Sequence, residues 1–197
     1  MRTRRLKAWR TALKRQRGDT VPYYDIVMGQ AASDSKFAGR LGFRRVFDAV
    51  ADIGVLMQGE GAKVPNKPFI AIGHDAGWLT NMMKNGAVAL VVERNDADRK
   101  LLAAMRDHDT VLLVPFGQLT GLFGIRRTRT MYFMQAMVRT AMKMKVRVGF
   151  ASLAASRLQM CSYMQLIELA KLVGAPEKLA REALEKVNKE LGECNDA

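Results

Sequence analysis

The sequence predicts an α/β fold, a closed or nearly closed β/α barrel of the TIM-barrel type. Two observations lead there. Short apolar runs alternate with helical stretches from residue 22 onward, an order that lays strands parallel with helices outside them. Six or seven such strand–helix units follow one another in one chain. A doubly wound open sheet is the alternative arrangement. The chain has 197 residues, 49% of them hydrophobic, enough for a sizeable core in one domain. The division is a basic arm over residues 1–21 and a single β/α domain over 22–197.

The elements read as follows. Tyr23 to Met28 is a first strand. Ser33 to Leu41 is a short helix closed by Gly42. Phe43 to Val50 and Gly54 to Met57 are the next strand candidates. The stretch from Gly59 to Pro68 holds two Pro and two Gly and reads as an exposed loop. Phe69 to Gly73 is a strand, and Gly77 to Lys84 a helix ending at Asn85-Gly86. Ala87 to Glu93 (AVALVVE) is an unbroken apolar run, as a strand buried on both faces requires. A helix from Ala97 to Arg106 takes its cap from Asn95 or Asp96. Val111 to Val114 is a strand, Thr128 to Lys145 a long helix, and Val146 to Ala151 the last strand. Two helices close the chain, near Ser162 to Val173 and Pro176 to Leu191. Pro176 sits early, where its missing N–H costs nothing.

Charge is the unusual feature. Lys and Arg total 32 against 19 Asp and Glu, a net +13. A domain this basic is expected to bind a polyanion, either nucleic acid or an anionic membrane surface. The cations gather in two places. Arg2, Arg4, Arg5, Lys7, Arg10, Lys14, Arg15 and Arg17 all precede the first acid, Asp19. Leu6, Trp9 and Leu13 recur there at helical spacing, so a basic amphipathic helix fits. A nucleic-acid-binding arm, a mitochondrial transit peptide and a solvated tail compete as readings. The second gathering lies between Thr110 and Ile167, where there is no Asp or Glu. That stretch holds Arg126, Arg127, Arg129, Arg139, Lys143, Lys145, Arg147 and Arg157. At about 100° per residue, Met131, Met134, Met137, Val138, Ala141 and Met144 share one face of the long helix. Arg129, Gln135, Arg139 and Lys143 share the other, with Tyr132 between them. The Met stripe reads as core. The basic face reads as a phosphate-binding surface, and Tyr132 as a ring on which a base stacks.

Other chemistry has thin support. There are two histidines, His74 and His108, and two cysteines, Cys161 and Cys194, with no CxxC pair. Two histidines cannot build a polynuclear metal site. No GxGxxG, GxxxxGK[ST] or Gx-Ser-x-G sequence occurs. Asp25, read as the end of the first strand, is the best single polar candidate, with a structural role bonding a neighbouring loop as its plainer reading. No run approaches the roughly 18 apolar residues of a membrane span. The cysteine usage fits a reducing compartment, and the expected location is the cytoplasm.

A set of motifs in order resembles a known family. Gly124-Ile125-Arg126-Arg127-Thr128-Arg129 opens a long helix. Lys145-Val146 and Val148-Gly149-Phe150-Ala151-Ser152 follow. Ser162 then precedes Leu166-Ile167-Glu168-Leu169-Ala170 and Leu172-Val173-Gly174. With Tyr24-Asp25-Ile26 and Leu41-Gly42-Phe43-Arg44-Arg45-Val46 near the start, this resembles ribonuclease P protein component 3 of archaea and its eukaryotic counterpart. The similarity covers roughly residues 22 to 191. The family commonly has Arg-Ser-Pro where this chain has Cys161-Ser162-Tyr163, and often His-Pro where it has Val114-Pro115. A strand–helix unit is expected to be missing near 115–125, so the barrel would be shortened or distorted.

The resemblance implies a fold like that of metal-dependent phosphoesterase barrels without their His-rich centre. It implies a non-catalytic subunit of ribonuclease P. The RNA of that complex removes 5′ leaders from precursor tRNA, and Mg²⁺ enters only through the RNA. Ribonuclease P RNA, precursor tRNA and ribonuclease P protein component 2 are the implied partners, with no membrane and no cofactor of the chain's own. The expected RNA-binding residues are Arg126, Arg127, Arg129, Arg139, Lys143, Lys145 and Arg147, assisted by Arg2, Arg4, Arg5, Lys7 and Arg10. Two other functions stay open. One is a metal-dependent phosphoesterase barrel of the polymerase-and-histidinol-phosphatase type, using Asp25, His74 and carboxylates. The other is a membrane-surface protein held by residues 1–17.

Overall fold

A computed structural model describes residues 23–28, 35–59, 63–65, 68–93 and 98–194. Seven strands run through them, and every recorded pairing is parallel. The strands are β1 (Tyr24–Val27), β2 (Arg45–Asp48), β3 (Val55–Met57), β4 (Phe69–Gly73), β5 (Ala87–Val92), β6 (Val111–Pro115) and β7 (Val148–Ala151). β3 to β7 form one sheet in chain order, and β1 pairs with β2 in a second. The helices are α1 (Ser35–Arg40), α2 (Ala76–Lys84), α3 (Arg99–Asp107), α4 (Gly124–Lys143), α5 (Tyr163–Leu172), α6 (Glu177–Glu182) and α7 (Asn188–Glu193). A five-residue π segment, Ala183–Val187, joins α6 to α7.

The unbroken apolar runs form strands because both faces of the sheet are covered. Ile70, Ile72, Ala89, Val91, Val111 and Leu113 share one side. There they meet Ile26, Ala49 and Ile53, with Val187 and Leu191 from the C-terminal helix. Phe69, Ala71, Leu90, Leu112, Val114 and Phe150 share the other side. Helices α2 to α5 cover that side through Leu79, Met82, Leu101, Met105, Met134, Val138 and Leu166.

The two sheets meet along a seam between β1 and β7. Leu153 N–H donates to Ile26 O at 2.8 Å, and Met28 N–H to Ala154 O at 3.0 Å. Lower down, Asn188 Nδ2 donates to Tyr24 O at 3.0 Å and Phe150 O at 2.7 Å. Between β2 and β3 the chain takes a single π turn, Ala49–Ile53. Among the described residues no ladder pairs those two strands. The fold is therefore α/β with a five-stranded parallel sheet and an adjoining parallel pair.

Several boundaries differ from expectation, each for a local reason. The strand expected over Phe43 to Val50 stops at Asp48, whose carboxylate accepts from Val50 N at 2.9 Å and turns the chain. Asp98 caps α3, accepting from Lys100 N at 2.8 Å. The expected caps Asn95 and Asp96 lie outside the described residues. Helix α4 starts a turn before Thr128 and ends at Lys143. Between β6 and α4 the chain forms only a 3-10 turn, Gly117–Gly121. The N-terminal arm, and with it Arg2, Arg4, Arg5, Lys7 and Arg10, lies outside the described residues. Among the described residues no helix is long and apolar enough to cross a membrane.

Candidate nucleic-acid interface

Helix α4 is anchored at one end and free at the other. Met134, Met137, Val138 and Ala141 are buried, while residues 123–129 are all exposed. The sequence shows why. Arg127 stands seven residues before Met134, two turns back on the same stripe. A core position filled by arginine marks where the helix has run past the body. Phe123 precedes the helix and offers no side-chain cap, so the first N–H groups add their partial positive charge to the arginines.

The outer stripe carries Arg129, Tyr132, Ala136, Arg139 and Lys143, positions that recur every three or four residues. Gln135 Nε2 donates to Leu172 O at 3.4 Å, which docks mid-helix onto the last turn of α5. Gly174 follows that turn at φ +94°, and the Arg139 side chain packs close against it, 3.0 Å from where a Cβ would stand. Lys145 is exposed just past the helix in a left-handed conformation, φ 60°. Among the described residues, Arg126, Arg127, Arg129, Arg139, Lys143 and Lys145 form no ion pair.

Arg147 is different. It pairs with Asp109 at 3.3 Å and with Glu190. Partial burial disfavours its charge, but these two acids outweigh that and hold its pKa above the usual guanidinium value. The acid-free window in sequence is not acid-free in space, because folding brings carboxylates to Arg147 from 38 and 43 residues away. Arg157 also stands apart, over the Phe37 ring at 5.8 Å. The basic surface is thus α4 with Lys145.

No protein-family model and no curated protein sequence matches the chain. Parts of several solved structures resemble it. An uncharacterised protein aligns at TM-score 0.49 and 12% identity, over 66% of this chain and 35% of that one. A Xaa-Pro dipeptidase with methionine bound in its active site aligns at 0.47 and 16%, over 66% and 34%. Ochratoxinase of A. niger aligns at 0.48 and 15%, over 67% and 31%. The chain spans about a third of the length of each.

The residues considered for metal chemistry lie apart in the fold. His74 is exposed after β4, with its backbone N–H and that of Asp75 held by Gln58 Oε1 at 2.9 and 3.0 Å. Asp75 caps α2 through Trp78 N. His108 is exposed at the end of α3. The C-terminal ends of the strands surround a cavity of about 150 Å³. It is mainly apolar, lined by Met28, Met57, Pro115 and Leu153 with Glu93 and Gln118. Asp25 lies within β1 rather than at its end. Ile26 joins the inner cluster, so strand alternation turns Asp25 to the opposite side. There it is fully buried, accepting from Ser152 N and Ile26 N at 2.8 Å each and from Ser152 Oγ at 2.6 Å. Burial raises its pKa to about 6 against the pull of those donors. Among the described residues no three His, Cys, Asp or Glu side chains gather to hold a metal ion. Ser152, Asn188 and Gln58 carry no motif that marks them, since their partners lie far off in the chain.

Proposed function

We propose that this chain is an RNA-binding protein, the protein component 3 subunit of a ribonuclease P. The unpaired cations on α4 support the reading most strongly. Five basic side chains on α4, and Lys145 just past its end, have no acid among the described residues to neutralise them. Arg and Lys so placed bind phosphates and release condensed counterions, a gain that falls steeply with salt. The helix also lies within residues 110 to 175, where the resemblance to the family is strongest.

In this reading the RNA cleaves the 5′ leader of precursor tRNA, in the cytoplasm and with its own Mg²⁺. The protein clamps and stabilises the folded RNA together with protein component 2. The fold is a shortened β/α barrel. Seven strands follow chain order, the β7–β1 seam joins first strand to last, and the π turn spans the gap between β2 and β3.

The test is affinity for ribonuclease P RNA over a range of salt. Arg129→Ala with Arg139→Ala is expected to weaken binding and to reduce the log–log salt slope by about two units, roughly one per lost phosphate contact. Unchanged affinity and slope would overturn the reading.

A further inference from the structure

The projecting end of α4 is basic, and it is also aromatic and apolar in a way that phosphate binding does not need. Phe123 is 80% exposed, Ile125 81% and Tyr132 65%. The two rings stand nine positions apart, about 14 Å along a helix axis. Arg126, Arg127 and Arg129 stand between them, all exposed. The Tyr132 ring lies beside half-buried Phe133, centroids 6.2 Å apart at 67°, and stays mostly exposed.

Resting on the RNA-binding reading, we infer that this end of α4 takes unpaired nucleotides, with bases stacked on Phe123 and Tyr132 and the backbone held by the intervening arginines. A duplex presents phosphates while its bases stay stacked inside, so exposed rings gain nothing from it. A looped or single strand offers both, and base–aromatic stacking adds to phosphate contact whatever the sequence. The choice of RNA over an acidic protein follows from charge. Three exposed guanidiniums within four residues suit the dense negative charge of a strand's backbone, and the exposed apolar side chains that flank them suit its bases.

The test measures binding of the full chain to two labelled RNAs, an unstructured single strand and a fully paired hairpin stem of similar charge, with heparin as an anion without bases. Phe123→Leu and Tyr132→Leu keep apolar bulk and remove the ring. Each is expected to weaken single-strand binding about fivefold or more. Hairpin and heparin binding should stay within about twofold, and the salt slope should not move. Tyr132→Phe should restore single-strand binding. Equal weakening on both RNAs, or none on either, would sink the inference. Arg129→Ala separates the two ideas. If it weakens both RNAs while the ring variants weaken neither, stacking fails, the rings are left to an acidic protein, and the phosphate-binding reading stands. If it weakens neither, that reading fails too.

Discussion

Asp25 is a carboxylic acid enclosed by protein on every side. Its two oxygens are spent on Ile26 and Ser152, tying β1 to the residue after β7 across 127 positions. A pKa raised from 3.8 to about 6 has a definite consequence. Between about pH 4 and pH 6 the folded chain keeps a proton that the unfolded chain has released. Stability therefore falls as pH rises through that window and levels off above it. About two pKa units correspond to roughly 3 kcal/mol. Asp25→Asn should remove this dependence and keep all three bonds. Its Oδ1 still accepts both backbone N–H groups, and its Nδ2 donates to the Ser152 hydroxyl, which can turn to accept. Urea unfolding at pH 4.5 and 7 is expected to show a smaller difference in midpoint for the variant than for the parent. The same difference in both would count against the assignment. The nearby thiol of Cys161 rises to about 11, first through burial and then through the Asp25 charge, so it stays protonated at neutral pH.

At the scale of elements, the C-terminal helix acts as a clamp. Asn188 is fully buried, and its amide nitrogen bridges carbonyls of β1 and β7 where no backbone bond joins them. Replacing it by Ala strands two buried carbonyls and opens a cavity, a loss of about 2–4 kcal/mol. Chemical unfolding would report it. An unchanged midpoint would mean that the seam holds without the clamp. Much at this scale was legible in sequence. Helix α4 keeps the face assigned to it because Met134, Met137, Val138 and Ala141 recur with helical period. β4 and β5 are where their apolar runs stand. The overshoot of α4 is missed, since the expected helix begins at Thr128, although Arg127 on the Met134 stripe marks it. What the chain hides is pairing at a distance. Nothing near Asp25 points to Ser152, and nothing near Arg147 points to Glu190. Local sequence specifies which face is apolar, while partner choice depends on how whole elements stack.

For the whole molecule, the surplus of +13 is unevenly spread. On the C-terminal helix Glu177, Glu182, Glu190 and Glu193 each face a basic side chain: Arg181, Lys186, Arg147 and Lys189. These exposed pairs add little stability, yet they cancel charge along that helix, while the cations of α4 keep theirs. The same helix covers the inner face of the sheet with Val187 and Leu191. A chain ended at Glu182 should lose its cooperative thermal transition and bind hydrophobic dyes, the behaviour of a compact chain without fixed packing. A sharp transition in that truncated chain would show that the sheet can hold its inner face unaided.

The clamp also sets a clock. Tyr24 and Asn188 lie 164 residues apart. A ribosome adding about 5–20 residues per second takes roughly 10 to 30 seconds to pass from one to the other. Through that interval the first strand has been made but lacks the helix that seals its seam. Its free edge is then open to whatever else in the cell can pair with a strand.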